Sequence, residues 1–388
     1  MSARAAGSII ATGSHAACAP WHETGTLAGM TTTTAATRTM PGVVLPGERR
    51  LEIREFPIPE PGSGQVLVRM QASTICGSDL RAIYRPTLQG TGPEAYRGVI
   101  AGHEPAGVVE AVGPGVNRFA VGDRVALYHI AGCGLCNDCR SGWMISCTSP
   151  LRAAYGWQRD GGHAPFLLAE ERTLVALPDE LSFLDGALVA CGLGTAWAAC
   201  LRAGISGSDH VLVTGLGPVG IGAAMLARAL GARVTGYDVS PERMELARGL
   251  GIEVADAGGD AAAALRGHAD GIGFEVALEC SGSPDARVLC LETARHWGRV
   301  VFVGEGGSVS FDVSPLVIHP QLTVSGSWVC SIGQMEQLVE LLVRWDLKPD
   351  RMVTHRFEVT DAEEAYRLAD SGAAGKIAIV FDAWHAAR

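Results

Sequence analysis

Four cysteines lie close together with the spacing of a metal-binding loop. They fall within fifteen residues, with two residues between successive members of the first three: Cys133, Cys136, Cys139 and Cys147. Two-residue gaps let one turning backbone present thiolates to a single ion, and four thiolates complete a tetrahedral zinc shell with no open position. A reducing compartment disfavours disulfides, and Thr148 disfavours an iron–sulfur cluster because bacterial ferredoxin motifs place proline after the fourth cysteine. The spacing predicts a structural zinc ion.

A second set of chemically capable residues is dispersed along the chain. Cys76 begins the segment Cys-Gly-Ser-Asp, and His103 lies in Gly-His-Glu. A lone buried cysteine is usually inert, and a lone histidine more often packs against its neighbours than binds a metal. By themselves, these two residues leave a packing role and a metal-binding role open.

A glycine-rich turn follows a short apolar strand and precedes a helical run. The strand is predicted at residues 210–214 and the helix at 219–230. The turn has the pattern G-x-G-x-x-G and consists of Gly215, Leu216, Gly217, Pro218, Val219 and Gly220. Glycines permit the tight turn and the close approach of backbone to a pyrophosphate, which rests on the helix N-terminus. This context predicts a dinucleotide site.

An acidic residue indicates which dinucleotide is bound. Asp238 ends the next predicted strand, eighteen residues beyond Gly220. A carboxylate there accepts hydrogen bonds from the adenosine ribose and repels a 2′-phosphate, so NAD is favoured over NADP. Arg243 argues the other way, because a nearby arginine can tolerate phosphate. We expect NAD.

The hydrophobic pattern changes along the chain. Residues 42–189 contain short alternating segments punctuated by proline and glycine, which predicts antiparallel β structure. From about Gly192, strands alternate with helices, which predicts a doubly wound parallel sheet. After Ser331 two amphipathic helices follow, the second opening with a capping box at Thr360 and Glu363, and residues 376–381 form a final strand.

Composition limits the class of protein. The 388-residue chain has a net charge of −10, so no basic stripe is present to bind a nucleic acid. No apolar run approaches the ~20 residues that span a bilayer, and no convincing signal peptide is present. Residues 1–39, rich in Ala, Thr, Ser and Gly, predict a disordered leader or a start codon placed too early, with Met30 and Met40 as candidate starts. We expect a soluble cytoplasmic protein.

These motifs resemble the zinc-containing medium-chain dehydrogenases, which include alcohol, sorbitol (iditol), butanediol and threonine dehydrogenases. Cys76-Gly-Ser-Asp, Gly102-His103-Glu104-Pro-Ala-Gly and the four-cysteine loop stand in that family's order. The resemblance covers nearly all of residues 40–382. It implies an α/β fold with a GroES-like β domain, residues 40–191 and 332–388, and a Rossmann domain, residues 192–331. It also implies a homodimer or homotetramer.

The resemblance assigns a catalytic zinc site. Cys76 and His103 match its first two ligands, and Cys191 matches the third, where sorbitol dehydrogenases instead place a glutamate at the position of Ala190. Glu104 matches a carboxylate beside the zinc that can also approach the metal. Asp79 matches a residue that orients His103 through its free ring nitrogen, as zinc sites commonly require. Two zinc ions per chain are therefore expected.

The same resemblance assigns a proton route and cofactor contacts. Ser78 matches the hydroxyl that takes the proton toward the nicotinamide ribose. Arg81 stands where the liver-type enzymes end this relay with a histidine, and Gly77 replaces their pyrophosphate-binding arginine. The remaining matched cofactor contacts are Thr195, Val303, Ser327 and Lys376, the last of which is otherwise a solvated surface lysine.

The expected reaction is hydride transfer between an alcohol and NAD. A polyol, cyclitol, diol or other secondary alcohol is favoured, because the segment 303–307 resembles iditol- and butanediol-type enzymes, although Cys191 resembles the ethanol-type enzymes. One alternative is a zinc-independent quinone or enoyl reductase of the same superfamily. Another is a non-catalytic, zinc-stabilised protein that retains NAD.

Overall fold

The computed structural model describes residues 38–85, 95–256 and 258–387. Nearly all of the predicted leader lies outside these residues, and the first strand begins at Thr39. The described part of the chain contains seventeen strands: β1 Thr39–Gly47, β2 Arg50–Pro57, β3 Gln65–Thr74, β4 Glu104–Val112, β5 Arg124–Leu127, β6 Ile130–Ala131, β7 Ala153–Ala154, β8 Phe166–Glu170, β9 Leu174–Ala176, β10 His210–Thr214, β11 Arg233–Tyr237, β12 Glu253–Val254, β13 Phe274–Glu279, β14 Ala294–Phe302, β15 Thr323–Gly326, β16 Val353–Glu358 and β17 Lys376–Val380.

The same described residues contain ten α-helices: α1 Asn137–Arg140, α2 Phe183–Val189, α3 Gly192–Ala203, α4 Pro218–Ala229, α5 Pro241–Gly249, α6 Ala261–His268, α7 Pro284–Thr293, α8 Ile332–Arg344, α9 Ala362–Ser371 and α10 Asp382–Ala386. A π-helical segment, Asp79–Tyr84, follows the first predicted metal ligand.

A parallel sheet carries the glycine-rich turn. Within the described residues it has six strands in the order β12-β11-β10-β13-β14-β15, with every neighbouring pair parallel. Alternate residues of β10 enter different hydrophobic clusters, Val211 and Val213 on one face and Leu212 on the other. Both faces are therefore covered, as in doubly wound folds. Strand order reverses between β10 and β13, which leaves a crevice at the strands' carboxyl ends.

A second sheet carries the predicted catalytic ligands. Among the described residues this sheet has seven strands. Six follow the order β16-β17-β3-β4-β5-β9, and the seventh, β8, also pairs with β3. Most pairs are antiparallel, as predicted, but β16 and β17 are parallel. Ala378 of β17 lies opposite Thr74 of β3, and Ile75 N–H donates to the carbonyl of Ile377 at 3.0 Å. This pairing brings the end of the chain beside the first predicted ligand.

One helix start differs from its prediction. The capping box predicted at Thr360 and Glu363 is wrong, because Thr360 lies in a 3₁₀ turn and α9 begins only at Ala362, with no side-chain cap. The preceding helix, α8, has the box instead, between Ser331 and Gln334. A serine and a glutamine three residues apart could have identified it.

No single helix among the described residues is long and apolar enough to cross a membrane. The bent pair formed by α2 and α3 is together long and apolar enough for a membrane span, by length and composition alone. Most residues of both helices are buried inside the protein.

Candidate active site

Four dispersed residues converge where β3 ends and β4 begins. One ligand atom from each lies within 4.8 Å of the others: Cys76, His103, Glu104 and Cys191. Cys76 follows β3, His103 directly precedes β4, and Cys191 lies between α2 and α3. Two thiolates and an imidazole form a donor set that zinc binds in catalytic sites. The cluster therefore matches the predicted ligand set and is chemically suited to zinc.

Asp79 fixes the orientation of His103. Its Oδ1 lies 2.8 Å from Nδ1 of His103, and its Oδ2 accepts the backbone N–H of Cys76 at 2.9 Å. Because the carboxylate accepts a hydrogen bond from Nδ1–H, the lone pair of the neutral ring lies on Nε2, the nitrogen left for a metal. Burial opposes protonation of His103, but Asp79 and Cys76 outweigh it and raise its pKa.

Glu104 is held by three partners. Its Oε2 accepts from the hydroxyl of Thr74 at 2.6 Å and forms an ion pair with Lys376. Its Oε1 accepts the backbone N–H of Gly192 at 3.1 Å, next to Cys191. The charge of Lys376 is fully buried, so the alternative of a solvated surface lysine is wrong. Burial disfavours the ammonium, but Glu104, together with Cys76 and Cys191, outweighs it and raises the pKa of Lys376.

The thiols of Cys76 and Cys191 contact each other. A hydrogen bond from Cys191 lowers the pKa of Cys76 well below its usual range, and the positive charges of Lys376 and His103 act in the same direction. Because the thiolate is the form that binds a metal, this environment favours a ligand at Cys76.

The predicted proton route begins next to the imidazole. The hydroxyl of Ser78 lies 3.4 Å from Nε2 of His103 and lines the cleft. Arg81 donates to the carboxylate of Glu305 at 2.5 Å and to its carbonyl at 3.2 Å. A guanidinium group only donates hydrogen bonds, so Arg81 cannot take the histidine's place as the acceptor that ends the relay. A Cβ at Gly77 would meet no other atom within 4 Å, which leaves open space there.

The glycine-rich turn has the geometry that a pyrophosphate requires. A Cβ at Gly220 would lie 1.8 Å from the carbonyl oxygen of Gly215, so only glycine permits this close packing. Gly215 has a φ of 84°, which favours glycine. Gly217 faces open space, and Pro218 is the first residue of α4. The helix N-terminus is therefore accessible to an anion.

Asp238 lies beside that turn, at the carboxyl end of β11. Its carboxylate accepts the backbone N–H groups of Leu216 at 2.6 Å and Ser240 at 2.9 Å. Arg243 approaches to 3.7 Å. Carboxylate oxygens have further lone pairs, so Asp238 can still accept hydrogen bonds from a ribose.

One cleft contains most of the predicted site. Its lining includes Cys76, Ser78, His103, Thr195, Gly215, Gly217, Pro218, Val219, Cys191, Arg243, Val303 and Lys376. Asp79 and Glu104 are not part of this lining; Asp79 contacts His103 and Cys76, and Glu104 contacts Gly192, next to Cys191. Ser327 instead lines an adjoining cavity with Val303. Its assignment as a cofactor contact stays a prediction.

Several cleft residues had weak or no sequence signal. His129, Trp157 and Trp328 line the cleft, as do Ile130, Ile145, Arg152 and Tyr155. His129 is 6 % exposed, and its Nδ1 donates to the carbonyl of Ala190 at 2.8 Å. Burial lowers its pKa to about 4, so the ring is neutral and Nε2 is an acceptor. Cys280 also lines this cleft.

The four-cysteine loop gathers its sulfur atoms as the spacing predicted. The ligand atoms of Cys133, Cys136, Cys139 and Cys147 all lie within 4.8 Å of one another. Backbone N–H groups of Leu135 and Cys136 each approach the sulfur of Cys133 at 3.4 Å and lower its pKa to about 6. Four such sulfurs suit a closed zinc shell.

Comparison with known proteins gives consistent results along the chain. Residues 62–179 match the family model for the alcohol dehydrogenase GroES-like domain, and residues 218–344 match that for zinc-binding dehydrogenases. The chain is 47% identical to the uncharacterized zinc-type alcohol dehydrogenase-like protein YphC of Escherichia coli (strain K12), over 89% of this chain and 99% of that protein. It is 32% identical to L-threonine 3-dehydrogenase of the same strain, over 87% and 98% of the two chains.

A solved structure of an alcohol dehydrogenase has a similar fold. The alcohol dehydrogenase of Thermus sp. ATN1 superposes with a TM-score of 0.79 at 29% identity, covering 88% of this chain and all of that one. The similarity therefore extends over both sheets.

Proposed function

The chain belongs to the family of zinc-binding, alcohol dehydrogenase-type oxidoreductases, and we propose that it catalyses reversible hydride transfer between a diol or polyol and NAD. The observation that carries this proposal is the convergence of Cys76, His103 and Cys191 in the cleft that also contains the glycine-rich turn. A hydride donor and acceptor must meet within one cavity, and the predicted ligands and the cofactor turn line the same one.

The ligand residues would hold zinc, which as a Lewis acid lowers the pKa of an alcohol. Asp79 keeps His103 in the required tautomer. The Glu104–Lys376 pair places a buried carboxylate behind the ligands and, through Gly192, fixes the backbone next to Cys191. Ser78, 3.4 Å from the imidazole, is the first hydroxyl positioned to carry a proton away from the substrate.

The cofactor would extend from Asp238 across the glycine-rich turn toward the ligand cluster. Asp238 suits an unmodified adenosine ribose, since its negative charge repels a 2′-phosphate. Arg243 and Arg81 both line the cleft, but each pairs with a carboxylate, that of Asp238 or of Glu305, so the phosphates would be held mainly by the N-terminus of α4 at the glycine-rich turn.

The cleft wall supports a substrate with more than one hydroxyl. His129 presents an acceptor nitrogen, Nε2, that makes no hydrogen bond within the described residues, and it lies beside His103 with ring centroids 5.3 Å apart. Trp157 also contacts His103, with ring centroids 5.8 Å apart. A hydroxyl next to the reacting carbon could donate to Nε2 while the carbon skeleton packs on the indole.

We also propose the assembly, domain division and location that the family suggests. Strand β15 forms an edge of the parallel sheet, and Val324, Trp297 and Ile318 near it are exposed. An edge with exposed apolar residues suits pairing with a second copy, so we propose a homodimer or a homotetramer built from it.

Residues 40–191 and 332–388 would form the catalytic domain and 192–331 the NAD-binding domain. Cysteines clustered as metal ligands are typical of proteins in a reducing compartment, so we propose the cytoplasm.

A substrate screen tests the proposal. Purified protein is supplied with NAD⁺ or NADP⁺ and polyols, diols, amino alcohols or simple alcohols, and reduced cofactor is followed by absorbance. We expect activity with NAD⁺ that is highest on vicinal diols or polyols. Cys76→Ser should abolish this activity, whereas its matched control Cys290→Ser, which changes a buried cysteine outside both metal clusters, should keep it.

Two results would contradict the proposal. Reduction of activated carbon–carbon double bonds with NADPH by zinc-free protein would favour the zinc-independent reductase. Zinc-loaded protein that binds NAD but oxidises nothing in the panel would favour a non-catalytic binding protein.

A further inference from the structure

A buried ion pair connects the turns that follow β13 and β14. Glu279, the last residue of β13, is fully buried, and Arg287 on α7 is 9 % exposed. Nε of Arg287 lies 3.6 Å from Oε2 of Glu279. Neither side chain lines the cleft, and neither takes part in the proposed reaction.

Glu279 organises the first turn. Its Oε1 accepts the backbone N–H groups of Ser281 at 2.6 Å and Gly282 at 2.8 Å, together with the hydroxyl of Ser281. One carboxylate oxygen therefore fixes three donors of a turn whose residues Cys280 and Ser281 face the cleft.

Arg287 organises the second turn. Its guanidinium donates to the carbonyls of Gly304 at 2.9 Å, Gly306 at 2.6 Å and Gly307 at 3.2 Å. Glu305 lies between these carbonyls and contacts Arg81 across the cleft. The three hydrogen bonds from this one buried side chain hold the second turn in place. The turn cannot move away from Arg287 without leaving a buried guanidinium unpaired, which would be strongly unfavourable.

The two turns cross at very short range. A Cβ at Gly304 would lie 2.0 Å from the backbone nitrogen of Gly282, and a Cβ at Gly282 would lie 2.4 Å from the carbonyl oxygen of Glu305. Such close backbone packing leaves little freedom to shift one turn without the other. The ion pair therefore sets the position of both.

The order of the strands in the sheet indicates which part of the cofactor would lie over these two turns. Along the sheet, β11 carries Asp238, β10 carries the glycine-rich turn, and β13 and β14 lie beyond it on the far side. A dinucleotide whose adenosine lies at Asp238 and whose phosphates lie at the glycine turn has its nicotinamide half over the turns after β13 and β14.

We propose that Glu279 and Arg287 are positioning residues for the nicotinamide half of the cofactor. This inference rests on the proposed function. The pair holds the turns Cys280–Ser281 and Val303–Glu305 in a fixed relative position on the wall of the cleft. This fixed surface aligns the nicotinamide with the metal ligands. Without it, the adenosine half still binds.

Ligand binding without turnover tests this assignment. The dissociation constants of NADH and of ADP-ribose, which lacks the nicotinamide, are measured for wild type and Arg287→Met. We expect the NADH constant to rise about tenfold, as for loss of a charged hydrogen-bonding group, while that of ADP-ribose stays within about twofold. Arg287→Lys should recover part of the NADH affinity because it keeps the charge and donors.

A matched control is present in the same sheet. Arg299 of β14 also donates to two carbonyls, those of Ala203 and Gly204, and pairs with Asp209, which directly precedes β10, so these contacts lie toward the amino ends of the strands. Arg299→Met should lower the thermal midpoint without changing the ratio of the two dissociation constants. Glu279→Gln, which keeps the shape of the side chain, should show the selective NADH loss even if Arg287→Met folds poorly.

The possible results distinguish failure of the positioning role from failure of the proposed function. Equal weakening of NADH and ADP-ribose by Arg287→Met and Glu279→Gln, or no weakening of either, would overturn the positioning role alone. Failure of the wild type to bind NADH would overturn the proposed function and this role with it.

Discussion

Oδ1 of Asp79 lies 2.8 Å from Nδ1 of His103, while its other carboxylate oxygen accepts the backbone N–H of Cys76 at 2.9 Å. One fully buried carboxylate therefore fixes two of the three proposed zinc ligands. It does so from the start of a π-helical segment, three residues after Cys76.

Asp79→Asn should weaken metal retention at the proposed catalytic site. The amide keeps the shape of the side chain but removes the charge that orients the imidazole, so we expect zinc affinity or activity to fall about ten- to a hundredfold. Competition with a zinc chelator, followed by metal analysis, measures the change. Asp382→Asn on the surface is the control, and equal zinc retention by both variants would contradict the role of Asp79.

Asp238→Asn should shift the choice of cofactor. Loss of the negative charge weakens the ribose interaction and removes repulsion of a 2′-phosphate, while Arg243 remains nearby. We expect kcat/KM with NAD⁺ to fall about tenfold and that with NADP⁺ to rise, since a charged hydrogen bond is worth about 1.5–3 kcal/mol. An unchanged ratio of the two values would show that Asp238 does not set cofactor preference.

His129→Leu should discriminate between classes of alcohol. The leucine removes the acceptor at Nε2 and leaves an apolar wall, so a neighbouring hydroxyl loses its partner. We expect kcat/KM to fall about tenfold more for vicinal diols than for simple alcohols of the same length, as when a polar group of a substrate is left unpaired. His129→Asn, which keeps polar atoms, should lose less. Equal losses on both substrate classes would argue against a second-hydroxyl contact.

His163 should make the fold sensitive to acid. It is fully buried, its Nδ1 lies 2.9 Å from the hydroxyl of Ser73, and burial lowers its pKa to about 4. The unfolded chain has a pKa near 6.5, so it binds the proton more readily than the folded protein does. This contribution is therefore fully present above about pH 6.5 and is lost as the pH falls toward 4.

The acid effect is measurable by unfolding. Between about pH 7 and pH 5, this one histidine should reduce the free energy of unfolding by about 2 kcal/mol. His163→Gln should be less stable than wild type at neutral pH but should lose less stability on acidification. His355→Gln, at an exposed site, should keep the wild-type pH dependence, and the same dependence in His163→Gln would contradict the assignment.

Local motifs in the sequence predicted much of the fold and site. The four-cysteine spacing and the turn 215–220 depend on neighbouring residues, so their geometry follows from the chain itself. The alternation of strands and helices after Gly192 likewise predicted the parallel sheet, whose order and pairing the structure supplies.

The remaining contacts depend on pairings between distant segments. Lys376 reaches Glu104 only because β17 pairs with β3, and Arg81 meets Glu305 across 224 residues of sequence. No local pattern encodes either contact. A buried lysine and a surface lysine look alike in a sequence, which is why the partner of Lys376 could not be foreseen.

Cys76, His103 and Cys191 are proposed to hold a zinc ion distinct from the one proposed for the four-cysteine loop. The most direct measurement is the molar ratio of zinc to chain in wild type and in Cys76→Ser, with dehydrogenase activity measured on the same samples. We predict two zinc ions and activity in the wild type, and one zinc ion with no activity in the folded variant. Two zinc ions, or undiminished activity, in Cys76→Ser would show that Cys76 is not a ligand of a catalytic zinc ion.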